Sequence, residues 1–211
     1  MARTLGLATL AVCAVLFLAS CASMSEQECL TADWRLMGYT DAMEGRSTAT
    51  ISQHRRACAG VSVVPDLDLY QYGHEEGARQ YCTAANGYRV GSSGTNYQSI
   101  CPADLEYLFL DAYQEGRDLY DITKEISDLE TQMRKDESLV KELRRDIEKL
   151  EKAIVDDDTS AAERRAKLAE ISALGDQISN LEVDVSQARR SIGRLELQQY
   201  YMREDHRLLG Y

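Results

Sequence analysis

The chain has 211 residues, of which 35 are Asp or Glu and 24 are Lys or Arg, so its formal net charge at pH 7 is −11. A chain of this length forms one or two domains. Because the phosphates of nucleic acids are neutralised by Lys and Arg, so acidic a chain is poorly suited to bind them, and we expect no nucleic-acid partner. Anionic lipid headgroups are disfavoured for the same reason, which leaves acyl chains as the means of any membrane attachment.

The N-terminal segment has the organisation of a secretory signal. Arg3 precedes an apolar run from Leu5 to Ala19, which Ser20 separates from Cys21. The run is short for a membrane-spanning helix and ends in small residues, as cleavable export signals do. We therefore predict that residues 1–20 are a signal peptide.

The residues at the predicted cleavage site, Leu18-Ala19-Ser20-Cys21, resemble the lipobox of bacterial lipoproteins. The resemblance implies that Cys21 becomes the first mature residue and carries palmitate and other lipid chains. Ala22 is not an acidic retention signal, so we expect an outer-membrane protein, lipid-anchored and facing the periplasm. The alternative is a plain secreted protein in which this cysteine occurs by chance.

Four further cysteines predict two disulfides, because an even number is typical of an exported chain. They are Cys29, Cys58, Cys82 and Cys101. Four cysteines allow three pairings, which the sequence does not distinguish; we prefer Cys29–Cys58 with Cys82–Cys101, since each bond would clamp the ends of one local segment. A four-thiolate zinc site is the rival interpretation, disfavoured because no Cys-x-x-Cys spacing occurs. We expect neither a metal nor another cofactor.

The composition of the chain changes near residue 120. Residues 29–120 contain these four cysteines and both prolines, whereas residues 121–211 contain neither and are dominated by charged residues with Leu and Ile. We predict a lipidated N-terminus and linker at 21–28, a disulfide-bonded helical domain rich in Gly and Tyr at 29–120, and an acidic coiled coil at 121–211. The predicted fold class is therefore mainly α.

Prolines mark the predicted helices of the first half. One helix begins after Pro65 and ends near Cys82, and another begins at Pro102, since proline is tolerated in the first helical turn. Between them, residues 83–100 are rich in Gly, Asn and Ser, which predicts a loop whose first turn is at Asn86-Gly87.

Glycines recur at helical spacing in the same half, in similar segments that begin at Gly38, Gly73 and Asp111. Residues four or seven apart share one face of a helix. We favour close packing of helices along these stripes of small residues. The alternative is a groove in which a ligand touches bare backbone.

The second half predicts a coiled coil, because apolar residues recur there in steps of three and four. One run extends from Leu119 to Ile154, and a second extends from Leu174 to Met202. The two runs are out of phase with each other, which indicates an interruption between them.

Two arrangements of this half remain open. Ser160 with Glu163 is a capping-box sequence that predicts a new helix start. We favour two helices, over about 118–155 and 161–205, folded back as a long antiparallel coiled-coil hairpin. The alternative is one continuous long helix in an oligomer, with the phase change as a stammer.

The four cysteines of the first half and a set of glycines and aromatic residues are spaced as in a known family. Besides the cysteines, the set comprises Trp34, Gly38, Asp41, Gly45, Arg56, Tyr70, Gly73, Gly77, Tyr81, Gly87, Gly94, Pro102, Tyr113 and Gly116. In this spacing the first half resembles an uncharacterised domain of unknown function found in proteobacterial lipoproteins. The resemblance covers about residues 21–120 and excludes the coiled coil. It implies an exported, disulfide-bonded domain and no particular activity.

No arrangement of residues predicts catalysis. The histidines, His54, His74 and His206, occur in no metal-binding spacing, and the sequence has neither a nucleophile elbow nor a phosphate-binding loop. His74 is expected on a solvated helix face beside Glu75 and Glu76. We therefore expect a protein that is not an enzyme.

Two functions from different classes remain. The favoured one is an envelope scaffold or interaction module whose periplasmic coiled coil binds a protein partner or a second copy of the chain. The alternative is a binder of peptidoglycan or another envelope glycan, with Tyr72, Tyr88 and Tyr97 as the ligand face. Rings that line one open face would favour glycan binding, and rings that pack inward would favour the scaffold.

Overall fold

The computed structural model describes residues 24–211. The predicted signal peptide, Cys21 and the first residues of the predicted linker lie outside the described residues. The described part of the chain is helical and contains no strand, which confirms the mainly α fold class. None of its helices is both long enough and apolar enough to cross a membrane.

The described residues form a succession of helices of very different lengths. They are α1 (Glu26–Leu30), α2 (Trp34–Met43), α3 (Ile51–Cys58), α4 (Leu67–Tyr81), α5 (Ala84–Ser92), α6 (Ala103–Ile154) and α7 (Ala161–Leu209), with short 3₁₀ turns at Thr48–Thr50 and Ala59–Val61. Side-chain caps fix several of the helix starts. Asp33, Asp66 and Thr83 each accept a hydrogen bond from the backbone N–H three residues further on.

The chain divides into two compact units. The first comprises residues 24–82 with 97–106, and the second comprises residues 83–96 with 107–211. The compositional boundary near residue 120 falls inside α6, a single helix that begins at Ala103 and not near residue 118. The composition changes along this helix because its early turns pack closely against α5, whereas its later turns form the coiled coil.

In the first unit, α2 and α4 lie very close together because glycine removes the side chains between them. A Cβ atom at Gly38 would overlap the carbonyl of Tyr70, and a Cβ atom at Gly73 would overlap the carbonyl of Arg35. The stripes of small residues in this pair are thus explained by the approach of one helix backbone to another.

Two disulfides hold the first unit together. Cys29 is bonded to Cys58 with a Cα–Cα distance of 5.4 Å, and Cys82 to Cys101 with a Cα–Cα distance of 5.6 Å. These are the two pairs preferred from the sequence. The first bond lies in the core around Trp34. Each bond closes a loop and so restricts the unfolded chain, which stabilises the fold by roughly 3 kcal/mol in the chain-entropy treatment.

In the second unit, α5 and α6 form another close pair. A Cβ atom at Gly87 would overlap the carbonyl of Phe109, and one at Gly91 would overlap the carbonyl of Tyr113. The predicted loop over residues 83–100, with a turn at Asn86-Gly87, is therefore wrong for residues 84–92, which are helical. Glycine disfavours a helix by about 1 kcal/mol relative to alanine, but the packing that it permits outweighs that cost.

The two close pairs repeat one construction. Each first helix is followed by a glycine with positive φ, Gly45 at 77° and Gly94 at 75°. Each of these glycines lies against a tyrosine ring of the second helix, Tyr81 in one unit and Tyr120 in the other. The described chain therefore contains the same helix-pair motif twice.

A tertiary hydrogen bond is repeated as well. In the first unit, His74 Nε2 donates to the carbonyl of Arg46 at 2.8 Å. In the second, the hydroxyl of Tyr113 donates to the carbonyl of Thr95 at 3.1 Å. Both carbonyls belong to the residue directly after the positive-φ glycine, so different side chains make the same connection.

Helices α6 and α7, of 52 and 49 residues, form the predicted antiparallel hairpin. Val140 and Leu143 of α6 pack against Ile178 of α7 in the seam. An ion pair between Arg144 and Glu182, 2.5 Å apart, also joins the two helices. The continuous-helix alternative is therefore wrong.

The turn of the hairpin contains neither Gly nor Pro. Arg164 closes it by donating hydrogen bonds to three backbone carbonyls, those of Ile154, Asp156 and Thr159. Ser160 and Glu163 form the predicted capping box at the start of α7. Hydrogen bonds from a single arginine side chain thus stabilise this turn, whereas most turns rely on the backbone conformations of glycine or proline.

Candidate functional site

The cluster of polar groups that most resembles a site of chemistry surrounds Asp41, which is only 2% exposed. Its carboxylate accepts hydrogen bonds from the Tyr70 hydroxyl at 2.6 Å and from His54 Nε2 at 2.8 Å, and it pairs with the Arg46 guanidinium at 2.5 Å. Because the carboxylate can only accept, Nε2 of His54 carries the proton. One side chain of α2 therefore holds α3, α4 and the segment after α2 together.

These contacts fix the protonation of the cluster. Burial alone would raise the pKa of Asp41, but the hydrogen bonds from Tyr70 and His54 and the charge of Arg46 together hold that pKa below its ordinary value. Burial and the Asp41 carboxylate raise the pKa of Tyr70 far above its ordinary value. All three donors are directed at the buried carboxylate oxygens of Asp41. The cluster therefore has the geometry of a structural hydrogen-bond network, whereas an acid or base catalyst faces its substrate.

His74 belongs to this core and not to a solvated surface, so the expectation for it was wrong. It is 5% exposed, and its bond to the carbonyl of Arg46 satisfies the ring nitrogen. Glu75 is exposed, as expected for the next residue along the helix. The side chain of His74 lies beside the Tyr70 ring, with centroids 6.1 Å apart.

In the first unit, the tyrosines predicted to form a ligand face have different surroundings. Tyr72 is 56% exposed, and the guanidinium of Arg35 lies 5.0 Å from its ring centroid. The Tyr97 hydroxyl donates to Glu106 and accepts from the backbone N–H of Cys101. The ring of Tyr72 is therefore exposed to solvent, whereas the hydroxyl of Tyr97 forms its hydrogen bonds within the first unit.

In the second unit, Tyr88 is part of an interior contact with α7. Its ring stacks on Tyr211 with centroids 4.9 Å apart, and its hydroxyl donates to Nδ1 of His206 at 3.1 Å. His206 is 2% exposed, and its Nε2 donates to Glu115 at 3.0 Å. The histidine thus connects α5, α6 and α7 at one point.

A shallow groove of about 500 Å³ runs along α2 and α4 of the first unit. Across it, Arg35 donates to both carboxylate oxygens of Glu76, at 2.8 and 2.9 Å. The groove is lined by Asp33, Arg35, Leu36, Tyr39, Glu76, Arg79 and Gln80. This mixture of aromatic, carboxylate and amide groups could bind the hydroxyls of a polar ligand. Arg35 and Glu76, however, already form hydrogen bonds with each other.

The hairpin offers a candidate surface of a different kind. At ~1.5 Å per residue, each of its helices extends for roughly 75 Å. Its seam is filled from within by apolar side chains, so the outward faces remain for contacts with another molecule. Within residues 24–211, no three His, Cys, Asp or Glu side chains are grouped so that they could hold a metal ion.

Residues 33–118 match a family model described as "Protein of unknown function (DUF2799)". The chain contains a DUF2799 domain. This is consistent with the uncharacterised family that the first half resembles, and the matched residues lie inside the range expected for it. Neither the curated proteins nor the solved structures contain a significant match to the chain.

The DUF2799 domain contains the residues that bring the helices together. The Asp41 cluster, the overlapping glycines such as Gly73 and Gly87, and the positive-φ glycines Gly45 and Gly94 all fall within the matched residues. Helix α7 and most of α6 lie beyond it. The glycines at which a Cβ atom would overlap another helix are therefore accounted for by packing, and most of the hairpin is an addition to the domain.

Sequence reasoning missed the role of Asp41 and of His206. Asp41 was visible as the acid that shares one helix face with Gly38, Ala42 and Gly45, since these residues follow one another at helical spacing. A carboxylate on such a face is placed where helices approach, so it is buried and needs donors. His206 gave a weaker signal, since it occupies a seam position in the last turns of a coiled coil, four residues after Met202.

Proposed function

We propose that the protein is an outer-membrane lipoprotein that acts, without catalysis, as an envelope scaffold or interaction module through its periplasmic hairpin. The observation that carries this proposal is the α6/α7 hairpin, a long helical rod whose seam is satisfied internally. Long paired helices with outward charged faces are suited to bind helical protein partners.

The surroundings of the other polar groups support the same proposal. The carboxylate of Asp41 is held by three internal donors, and the hydroxyls of Tyr88 and Tyr97 bond within their own units. These groups stabilise the fold, and they are not available to a ligand. The location in the envelope rests on the lipobox-like residues through Cys21 and on the two disulfides, which persist in oxidising compartments.

We expect lipidation at Cys21. In cells grown with labelled palmitate, the unaltered protein should take up label and fractionate with the outer membrane, because acyl burial is its means of attachment. Cys21→Ser should abolish both. Cys13→Ser, a matched control inside the predicted signal peptide, should leave both unchanged. Labelled Cys21→Ser protein would contradict the proposed anchor.

A second candidate function, glycan binding, is favoured by the groove beside Arg35 and by the exposed ring of Tyr72. Sugars stack on aromatic rings and accept hydrogen bonds from guanidinium and amide groups, and both are present here. The contact would then lie on the DUF2799 domain and not on the hairpin.

Photocrosslinking in cells distinguishes the two functions. A photoreactive residue is placed either at Arg145, on the outward face of α6, or at Gln80, in the groove, and the adducts from the two positions are compared. We expect protein adducts from position 145, because a helical partner would bind along the hairpin. Adducts only from position 80, recovered on cell-wall sacculi purified from the irradiated cells, would overturn the scaffold function and establish the glycan function. Both positions are at the surface, so neither substitution should disturb the fold.

A further inference from the structure

The outward face of α7 is unlike the outward face of α6. On α7, residues 183, 187, 190, 194, 197, 201, 204 and 208 follow one another in steps of four and three, opposite the seam that faces α6. Four of them are exposed apolar or aromatic side chains: Val183 at 51%, Leu197 at 56%, Tyr201 at 59% and Leu208 at 73%. Three of the four, Leu197, Tyr201 and Leu208, follow one another in steps of four and seven, which is the spacing of a short second coiled-coil seam.

The corresponding face of α6 is a natural comparison. Its outward positions are polar or charged, namely Lys124, Thr131, Ser138, Arg145 and Lys152. These are the residues expected where a helix faces water. The apolar residues of α7 are therefore a property of that helix and not of the hairpin as a whole.

Gly193 gives an independent observation at the same place. A Cβ atom there would meet no atom within 4 Å, unlike Gly38, Gly73, Gly87 and Gly91, which lie where two helix backbones approach each other. Glycine inside a helix costs about 1 kcal/mol relative to alanine, and no contact within the described chain offsets it. Gly193 directly precedes Arg194 at the edge of this face, where close approach of a second helix would account for a residue without a side chain.

The charges of the face indicate what approaches it. Arg190 donates to the hydroxyl of Ser186 and Arg194 to that of Ser191, so neither is bonded to a carboxylate in the described part of the chain. Glu204 lies further along the same face and, among residues 24–211, pairs only with Arg207 of its own helix, at the surface. The face therefore carries two cations towards one end and an acid towards the other. When a second copy of the same face runs in the opposite direction, a cation of one copy meets the acid of the other.

We propose that α7 of one chain pairs in antiparallel orientation with α7 of a second copy through this face. A two-fold axis midway between Leu197 and Tyr201 places Leu197 opposite Tyr201 of the second copy and Arg194 opposite Glu204 of the second copy. Each of these contacts occurs twice, as a two-fold interface requires. A parallel pairing would instead set Arg190 and Arg194 against their own equivalents, so like charges exclude it.

The proposal rests on the proposed function, since it names the first partner of the hairpin as another copy of the chain. It adds an orientation and a register, which the proposed function does not specify. The outward face of α6 stays free in such a dimer for a different protein.

Sedimentation equilibrium of the chain without residues 1–21 tests the pairing. We expect a dimer that dissociates in the micromolar range. Leu197→Glu should yield a monomer, whereas Thr131→Glu, the matched change on the outward face of α6, should leave the dimer intact. Circular dichroism of both variants should show unchanged helix content, because both sites are exposed.

Charge reversal tests the register. Arg194→Glu and Glu204→Arg should each weaken the dimer roughly tenfold, since two symmetric pairs turn from attraction to repulsion. The double variant should recover most of the original affinity. A chain that is monomeric throughout the micromolar range, or a dimer unaffected by Leu197→Glu, would overturn the inference. A double variant as weak as the single ones would do the same.

Failure of the pairing and failure of the proposed function give different results. A monomeric chain that still forms protein adducts from position 145 in cells loses only the self-association. A dimer without such adducts retains the pairing and loses the external partner.

Discussion

Replacing Gly73 by alanine is expected to lower the free energy of unfolding of the first unit by about 3 kcal/mol, near the upper end of overpacking effects. The added Cβ atom would overlap the backbone carbonyl of Arg35. A backbone carbonyl cannot rotate away as a side chain can, so α2 and α4 must separate. Separation would also stretch the bonds around Asp41 and the bond from His74.

Urea unfolding followed by tryptophan fluorescence measures this effect selectively. Trp34 is the only tryptophan of the chain, and it lies in the core of the first unit beside the Cys29–Cys58 disulfide. Gly175→Ala is the matched control, because a Cβ atom there meets nothing within 4 Å. It should leave the Trp34 transition unchanged and raise the stability of α7 by up to about 1 kcal/mol. If Gly73→Ala behaved like Gly175→Ala, the close approach of α2 and α4 would be refuted.

The hairpin was predictable from sequence because its determinants are local. Apolar residues at coiled-coil spacing specify the seam, and Ser160 with Glu163 specifies the start of α7. The turn was harder to predict, because the group that closes it is Arg164, whose side chain reaches back to carbonyls of the preceding residues. No local propensity encodes that reach.

The helix α5 was not predictable by the same reasoning. Residues 84–92 contain two glycines and an Asn-Gly pair, which read locally as a turn. What makes them helical is the approach of α6, whose backbone carbonyls occupy the space that side chains would fill. The repeated motif could have revealed this, because Gly87-Tyr88 and Gly94 match Gly38-Tyr39 and Gly45 in the first pair.

Among the candidate site residues, the disulfide pairs could be predicted from the sequence, whereas the surroundings of the three tyrosines could not. Parity of the cysteines in an exported chain predicts two bonds, and local closure favours the observed pairs. The fates of the three tyrosines depend on residues distant in sequence, such as His206 for Tyr88. Sequence spacing carries no information about those partners, so Tyr72, Tyr88 and Tyr97 could be grouped only by composition.

Replacing Asp41 by asparagine is expected to lower the free energy of unfolding of the first unit by about 3 kcal/mol at pH 7. Asparagine is nearly the same size, but it carries no charge. Tyr70 and His54 donate to one carboxylate oxygen and Arg46 to the other, so in either orientation the amide NH₂ faces a donor instead of accepting from it. Arg46 is half-exposed and can regain water, which keeps the loss at the lower end of the range for a broken buried ion pair.

The pH dependence distinguishes loss of this charge from a general loosening of the fold. The pKa of Asp41 is held below its ordinary value in the folded protein. Such a carboxylate contributes stability above about pH 4, the ordinary range of an aspartate, and that contribution is lost as the pH falls through its lowered folded pKa. The asparagine variant should lack this decrease in the free energy of unfolding at acid pH. Plots of the free energy of unfolding against pH for the two proteins should therefore converge below pH 4.

Tyr70→Phe provides the graded comparison. It removes one donor to Asp41 and leaves His54 and Arg46 in place, so it should cost about 1.5 kcal/mol, typical of a hydrogen bond to a charged group. With one stabilising bond gone, the pKa of Asp41 should rise, and the acid loss should begin at a higher pH than in the unaltered protein. Trp34 fluorescence in urea at a series of pH values measures all three proteins. Parallel curves for the unaltered protein and Asp41→Asn down to pH 2 would show that the carboxylate does not carry the charge assigned to it.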